Sequence, residues 1–396
     1  MIPPRSRRQV SLRFLFIIIS LTFAALWMAG GPQTPRASAQ SGAQGFKNFE
    51  SPHVHPLALT PDGTRLLAVN SPNGTLSVFG LAGGTPVRIA EIPVGLEPVS
   101  VAARSNREAW VVNWLSDSVS IVDLATGNVT RTLDVGDEPT DVLFAGLNRE
   151  MAFVCVSGLS KVKIFDPSNP TATPQTLDIF GKQPRALARN ANGAQVFVSV
   201  FESGNATTIV PETTVANNGG LPPPVPAMSA GLPAAPHTGL IVKWNGADWV
   251  DELSRSWGGA NAQRITDPLK RINYRLADID LVVIDAGAQT PSMTAQVRGL
   301  GTHIGNMTFD SSTSRLFVAN LESDNQVRFE PNLNGRFQHN RVSVLTTVAG
   351  GAPSVQSIND LNPHVNPSGP GSDAERAQSL ALPTDIAHSS DGTTYV

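Results

Sequence analysis

The run Ser118-Val119-Ser120-Ile121-Val122-Asp123 alternates small polar with branched apolar residues, which puts Val119 and Ile121 on one face and Ser118 and Ser120 on the other. A period of two marks a strand packed on one side. Residues 99–103, 109–113 and 129–135 are similar short runs rich in β-branched side chains, separated by turn residues at Asn106, Asp117 and Thr126-Gly127-Asn128. The pattern predicts four strands in one antiparallel unit. No stretch of comparable quality has the helical period.

The unit recurs. Turns at Asp62-Gly63, Asn106-Arg107, Asn148-Arg149 and Asn192-Gly193 follow one another at steps of 44, 42 and 44 residues, within the roughly 40–45 residues of a four-stranded propeller blade. Strand-like runs at 57–59, 66–70, 76–79 and 87–94 make a first blade, and those at 141–144, 152–156, 161–166 and 176–179 a third. A single sheet of this kind cannot bury both its faces, so the blades must stack around an axis to create a core. The predicted fold class is all-β, a β-propeller of four-stranded blades.

After Val200 the period breaks and then resumes. Leu281–Asp285 repeats the pattern of 119–123, and 293–299 that of the strand after it, so the fourth blade is expected to open at 185–188 and 195–200 and to finish after an insertion at 201–277. The fifth blade repeats the layout, with strands at 307–309, 315–320 and 341–345 and an insertion at 321–340. A further irregular stretch, 354–379, precedes 382–387, which reads as the first strand of a sixth blade. Loops from strand two to strand three, and from one blade to the next, leave a four-stranded blade on the same rim. All three insertions should therefore decorate one face, where long loops are commonly functional. Within the first, 221–226 is proline-rich, and Leu240 to Val250 reads as a hairpin turning at Asn245-Gly246. Trp244, Trp249 and Trp257 cluster there. Exposed, they would form a partner-docking surface, and the alternative is a small satellite core beneath the loop. The last residues, 393–396, match the start of a second strand, so the propeller is expected to continue in a longer protein.

The amino-terminal residues read as an address. Arg5, Arg7, Arg8 and Arg13 precede the apolar run 14–27, and Ala37-Ser38-Ala39 is a small-residue cleavage site, so residues 1–39 are expected to be a signal peptide. The general secretory route is favoured over the twin-arginine route that Arg7-Arg8 loosely resembles, because the run is rather hydrophobic for the latter. An uncleaved anchor is the remaining alternative and the only expected contact with a membrane, although fourteen residues are short for a span. The implied location is periplasmic or secreted. A net charge of −3 offers no basic footprint for nucleic acid, which is excluded as a partner. Cys155 is the only cysteine, so an intrachain disulfide and a Cys-x-x-Cys site are both impossible, and its place in Phe153-Val154-Cys155-Val156 suits a core filler.

Candidate chemistry is sparse. Stacking the blade openings Gly95-Leu96-Glu97-Pro98, Gly136-Asp137-Glu138-Pro139, Gly181-Lys182-Gln183-Pro184 and Gly301-Thr302-His303-Ile304 aligns Glu97, Glu138, Gln183 and His303, with His53 at the corresponding place in the first blade. Imidazole and carboxylate together suit zinc or a similar divalent ion at the channel mouth. The competing reading has these polar groups satisfying backbone amides at blade junctions. His55, His339, His364 and His388 could join a site only if the loops fold over the channel. Asp278 and Asp280 alternate along a strand and are expected to be solvated. Phosphate-loop, nucleophile-elbow, calcium-loop and His-x-x-x-His patterns are missing, so no catalytic residue is assigned.

The repeats resemble the YVTN family of bacterial propellers in four elements: the opening Val94-Gly95-Leu96-Glu97-Pro98, the turn Asp62-Gly63, the strand Ala109-Trp110-Val111-Val112-Asn113 and the strand 118–123. The residues at 360–365 and 377–385 add a narrower similarity, to secreted bacterial proteins whose propeller carries long insertions and continues into a c-type cytochrome domain like that of di-haem peroxidases. Haem attachment needs Cys-x-x-Cys-His, which this sequence lacks, so the resemblance implies haem c only for a continuation beyond Val396 and no cofactor for the residues present. The leading expectation is a non-enzymatic extracytoplasmic scaffold that docks a protein partner or an attached redox domain on its decorated face. The competing one is an enzyme, either a metal-dependent propeller lactonase or lyase, or the propeller half of a haem peroxidase-like oxidoreductase.

Overall fold

The computed structural model describes residues 52–219, 238–259, 272, 277–327, 336–366, 369, 371–389 and 391–396. The signal segment 1–39 and the proline-rich stretch 221–226 lie outside the described residues. The first sheet pairs β1 (Leu57–Leu59), β2 (Arg65–Asn70), β3 (Thr75–Gly80) and β4 (Val87–Pro93) in chain order. The second pairs β5 (Pro98–Ala103), β6 (Glu108–Asn113), β7 (Ser118–Asp123) and β8 (Asn128–Asp134), and the third β9 (Pro139–Ala145), β10 (Met151–Val156), β11 (Lys161–Phe165) and β12 (Gln175–Asp178). All neighbours are antiparallel, and the blades of a β-propeller follow one another with short turns between their strands.

The fourth blade begins with β13 (Lys182–Arg189) and β14 (Gln195–Glu202). Its next strands are β19 (Leu281–Asp285) and β20 (Ser292–Val297), with Gln195 paired to Asp285 and Ser199 to Leu281 across the inserted residues. The intervening chain builds a sheet of its own from β15 (Thr207–Val210), β16 (Leu240–Trp244), β17 (Asp248–Val250) and β18 (Ser256–Gly259), with one turn of helix, α1 (Glu212–Asn217), after β15. The hairpin β16–β17 closes differently from the expected Asn245-Gly246 turn. Asn245 N donates to Asp248 O (3.0 Å) and Asn245 Oδ1 accepts from the amides of Ala247 and Asp248, so the turn is centred one residue later than expected, on Gly246-Ala247.

The fifth blade comprises β21 (His303–Asp310), β22 (Arg315–Ser323), β23 (Gln338–Thr346) and β24 (Ser354–Asp360). Two expectations need correction here. Part of the 321–340 segment is an extension of the β22–β23 ladder, continuing through Leu321 with Asn340, Glu322 with His339 and Ser323 with Gln338. The stretch 354–379 is not irregular throughout, because β24 is the fourth strand of the blade. Six of its seven residues are exposed, so this edge strand shows no apolar alternation in sequence. Beyond it come the short helix α2 (Asp373–Ala377) and a two-stranded sheet of β25 (Ala387–His388) and β26 (Thr394–Tyr395).

The core lies between blades, as stacking requires. Leu67, Leu76, Val78 and Ile92 of the first blade meet Val101, Ala109, Val111 and Val122 of the second. The second and third meet around Trp110, which is wholly buried and packs edge-on against Phe144 at 5.5 Å and Phe165 at 6.3 Å. Such aromatic pairs add about 0.5–1.5 kcal/mol each beyond their area burial. Cys155 is fully buried in the layer between the third and fourth blades, where burial pushes its thiol pKa well up, as suits a core filler. No helix among the described residues is long and apolar enough to cross a membrane.

Candidate functional site

The inner strands converge on the axis through a repeated irregularity. Register shifts fall next to Pro98 and Ser100 in β5, between Pro184 and Leu187 in β13 and between Ile304 and Met307 in β21, and Thr140 is passed over where β9 pairs with β10. A bulge re-aims the residues around it. Here it accompanies a polar residue two places after the opening proline: Ser100 after Pro98, Asp141 after Pro139 and, in the segment before β25, Asp385 after Pro383. Asn306 holds the matching place in the fifth blade.

These side chains join successive blades. Ser71 Oγ donates to Pro98 O (2.5 Å), Ser100 Oγ to Asp141 Oδ1 (2.6 Å) and Thr140 Oγ1 to Arg185 O (2.8 Å), and Asn306 Nδ2 donates to Asp385 Oδ1 (3.0 Å). The segment 52–56 runs through their midst. Val54 N donates to Val99 O, Val101 N to His55 O, Asn306 Nδ2 to Val54 O, and Arg185 Nη2 to the carbonyls of Pro52 (2.8 Å) and His53 (3.3 Å).

Asp141 is the electrostatic centre. It is fully buried and accepts four hydrogen bonds, from Ser100 Oγ, Val142 N (2.9 Å), Leu187 N (2.7 Å) and His55 Nδ1 (2.8 Å). Four donors saturate the carboxylate's acceptor sites. Burial alone would lower the pKa of His55, but the Asp141 charge, the hydrogen bond to it and the Asp385 charge outweigh that and raise it above 6.5. The imidazole donates from Nδ1, while its side chain keeps 30% exposure. It is thus an imidazole oriented by a buried carboxylate and reached by solvent.

The expected ring at the channel mouth is distributed otherwise. Glu97, Glu138 and Gln183 occupy equivalent left-handed corners, φ +48°, +53° and +58°, and Leu382 occupies a fourth at +54°. Backbone roles explain the position, since the carbonyls of Glu97 and Glu138 accept from Trp114 N and Ser157 N. His303 does not share that corner. It sits in β21 with its ring edge-on to Phe201 at 5.3 Å and its Nδ1 buried without a partner. The ring of His53 meets Ser71 Oγ at 2.7 Å, and because that hydroxyl already donates to Pro98 O, Nε2 is the donor. Among the described residues no three His, Cys, Asp or Glu side chains come close enough together to hold a metal ion.

The other histidines stay apart. His339 bridges Asp324 and Asp360, His364 reaches Glu375 O, and His388 stacks on Phe317 at 4.6 Å beside Asp310. Asp280 is not solvated as its alternation with Asp278 suggests. It is wholly buried, with Oδ2 accepting from Leu300 N (2.6 Å) and Oδ1 unpartnered. Burial chiefly, with the Asp278 charge, raises its pKa to about 6 against the opposing bonds from Ser203 and Leu300.

On the decorated rim the three insertions bond to one another. Lys243 of the inserted sheet pairs with Glu322 (2.7 Å), which also pairs with Arg341 (3.2 Å), and Gln326 donates to Val250 O (2.9 Å). Arg336 donates to Asn366 O (2.8 Å), and Asn340 accepts from the amides of Leu361 and Leu382. Trp257 and Trp249 are buried with Val210, Val215, Leu240 and Val242 in the insert's own core. Trp244 stacks at a tilt on Trp249, 5.3 Å away, and lines a cleft of about 410 Å³ with Phe180 and Arg298. A second cleft, about 380 Å³, lies along Arg336, Phe337, Asn362 and Leu380.

No family model matches the sequence, and no curated protein matches it. Solved structures do resemble the fold. Hydrazine synthase of Kuenenia stuttgartiensis is 15% identical, with a TM-score of 0.48 over 80% of this chain and 69% of that one. A functionally unknown protein of Desulfotomaculum acetoxidans is 10% identical, with a TM-score of 0.49 over 79% and 72%. A candidate 6-phosphogluconolactonase of Bacteroides uniformis is 11% identical, with a TM-score of 0.50 over 85% of this chain and 75% of that one. At such identities the likeness speaks to fold alone, and with the five four-stranded blades, the fourth and fifth joined into one sheet where Glu202 pairs with His303, it identifies the chain as a β-propeller protein.

Proposed function

We propose that this chain is an extracytoplasmic propeller of the YVTN kind that works as a docking scaffold, receiving a protein partner or an attached redox domain on its decorated rim. One observation carries the reading: the segment 321–340 is bonded to both of the other insertions, through Glu322–Lys243 and Gln326–Val250 to the first and through Arg336–Asn366 to the third. A merely tolerated loop has no need of partners in the other two. The inserted sheet has its own buried core, which gives the surface the rigidity that a docking site requires to avoid ordering costs on association. Half-exposed or exposed aromatic side chains, Trp244, Phe180 and Phe337, supply anchors of the type that dominates binding energy.

The test is a deletion. Gly204 N donates to Ala277 O (2.7 Å), so 205–276 can be replaced by a two-glycine link without parting β14 from β19. The reading expects the blades to keep their strand content and unfolding midpoint within a few degrees while association with the partner or redox domain in the native cell envelope is lost. Unchanged association with folded blades would refute it. The competing enzymatic reading would centre on the Asp141–His55 pair, and a hydrolytic activity abolished by His55→Gln in the deletion protein would establish it instead.

A further inference from the structure

A cleft of about 300 Å³ opens beside the axis and carries two opposite charges that form no ion pair with each other. Its walls include Arg185, Glu138, Trp114, Phe201, Val99 and Pro52. Arg185 is held over the Phe201 ring, 4.9 Å from its centroid, and uses only Nη2 on protein, towards Pro52 O and His53 O. Among the described residues its Nε and Nη1 hydrogens meet no acceptor, and no carboxylate forms an ion pair with it. The nearby Asp141 is already saturated by its four donors. Glu138 lines the same cleft; its amide is bonded to Asp117, but its carboxylate pairs with no cation among the described residues. The guanidinium is half-buried, so part of its hydration is lost without a carboxylate among the described residues to replace it.

We propose that this cleft binds a small zwitterion with an apolar side group, an α-amino acid or a comparable ampholyte, its carboxylate on Arg185 and its ammonium on Glu138. Opposite charges that line one cleft and form no ion pair with each other suit a ligand that carries both signs, whereas a simple anion would be repelled by Glu138 and a simple cation by Arg185. Trp114, Phe201 and Val99 give the apolar group a surface to cover, and the volume falls at the small end of ligand pockets, which run from about 300 to 1,000 Å³. The site is independent of docking on the rim.

Calorimetric titration of the full-length chain with leucine, phenylalanine, acetate and propylamine tests it. At least one of the two amino acids should bind saturably and at least tenfold tighter than acetate or propylamine. Glu138→Gln should weaken that amino acid at least tenfold while leaving acetate unchanged, and Arg185→Lys should weaken both. Should Arg185→Lys fail to fold, having released Pro52 and His53, the Glu138→Gln comparison decides alone, because that carboxylate holds no structural bond. Absence of saturable binding by both amino acids, acetate binding as tight as theirs, or unchanged affinity in Glu138→Gln would overturn the proposal.

Discussion

Replacing Asp141 with Asn keeps the shape of the residue at the axis and removes its charge. The carboxylate accepts from Ser100 Oγ and Val142 N on one oxygen and from Leu187 N and His55 Nδ1 on the other. An amide can keep one oxygen in place, and its NH₂ then confronts the other two donors. His55 can change tautomer and accept, but the Leu187 amide cannot, and a buried orphan donor costs about 1–3 kcal/mol. With the loss of the charge-assisted bonds, the total should reach about 3–5 kcal/mol, the cost of breaking a buried pair. The pH dependence supplies a second signature. His55 has a folded pKa above its ordinary 6.5, so its stabilising contribution is complete below about 6.5 and is lost as pH rises through the raised folded value. Urea unfolding of the full chain at pH 6 and pH 8.5 should therefore show wild type losing stability with rising pH through this window. Asp141→Asn should be less stable at both pH values and should lack that part of the slope. A loss under 1 kcal/mol, or an unchanged slope, would refute the assignment of Asp141 as the electrostatic centre.

Two further outcomes follow from buried groups elsewhere. Asp280 is uncharged at low pH and ionises against its surroundings near pH 6, so its contribution falls as pH rises. Asp280→Asn should gain on wild type between pH 4 and pH 8 by up to ~3 kcal/mol, the equivalent of raising 3.8 to about 6, and equal shifts in urea midpoint at both pH values would contradict this. Trp257→Ala empties the core of the inserted sheet and leaves Asp251 Oδ2 without its indole donor, at a cost of about 3–5 kcal/mol. Hydrogen exchange should speed up in β15–β18 while β14 and β19 stay protected, and faster exchange throughout the blades would show that the insert is no separate unit.

How much of this was legible depends on which face a residue turns to its neighbours. Strands with one buried face, such as β7, advertise themselves by alternation, and the match between Leu281–Asp285 and 119–123 reaches across the insertion because both are buried third strands. Edge strands such as β24 have almost no buried residue and leave no period to read. The axis was readable in part. Pro139-Thr140-Asp141 recurs as Pro383-Thr384-Asp385, and a carboxylate two places into an apolar strand signals an inward polar position, but the more conspicuous residues before the prolines, Glu97 and Glu138, draw the eye first. Their place is a matter of backbone conformation, as the apolar Leu382 at the same left-handed corner makes plain. His55 offers no local signal at all, because its partner lies 86 residues away and only closure of the blades brings them together.

The docking claim is tested most directly by site-specific photocross-linking of the full-length protein in its native cells. Probes at Phe180, Trp244 and Phe337 report on the decorated rim, and probes at Gly63 and Thr126 on the short-turn rim. The account predicts cross-links to one partner, or to one attached redox domain, from the first set and none from the second. Cross-links confined to Gly63 and Thr126 would contradict it.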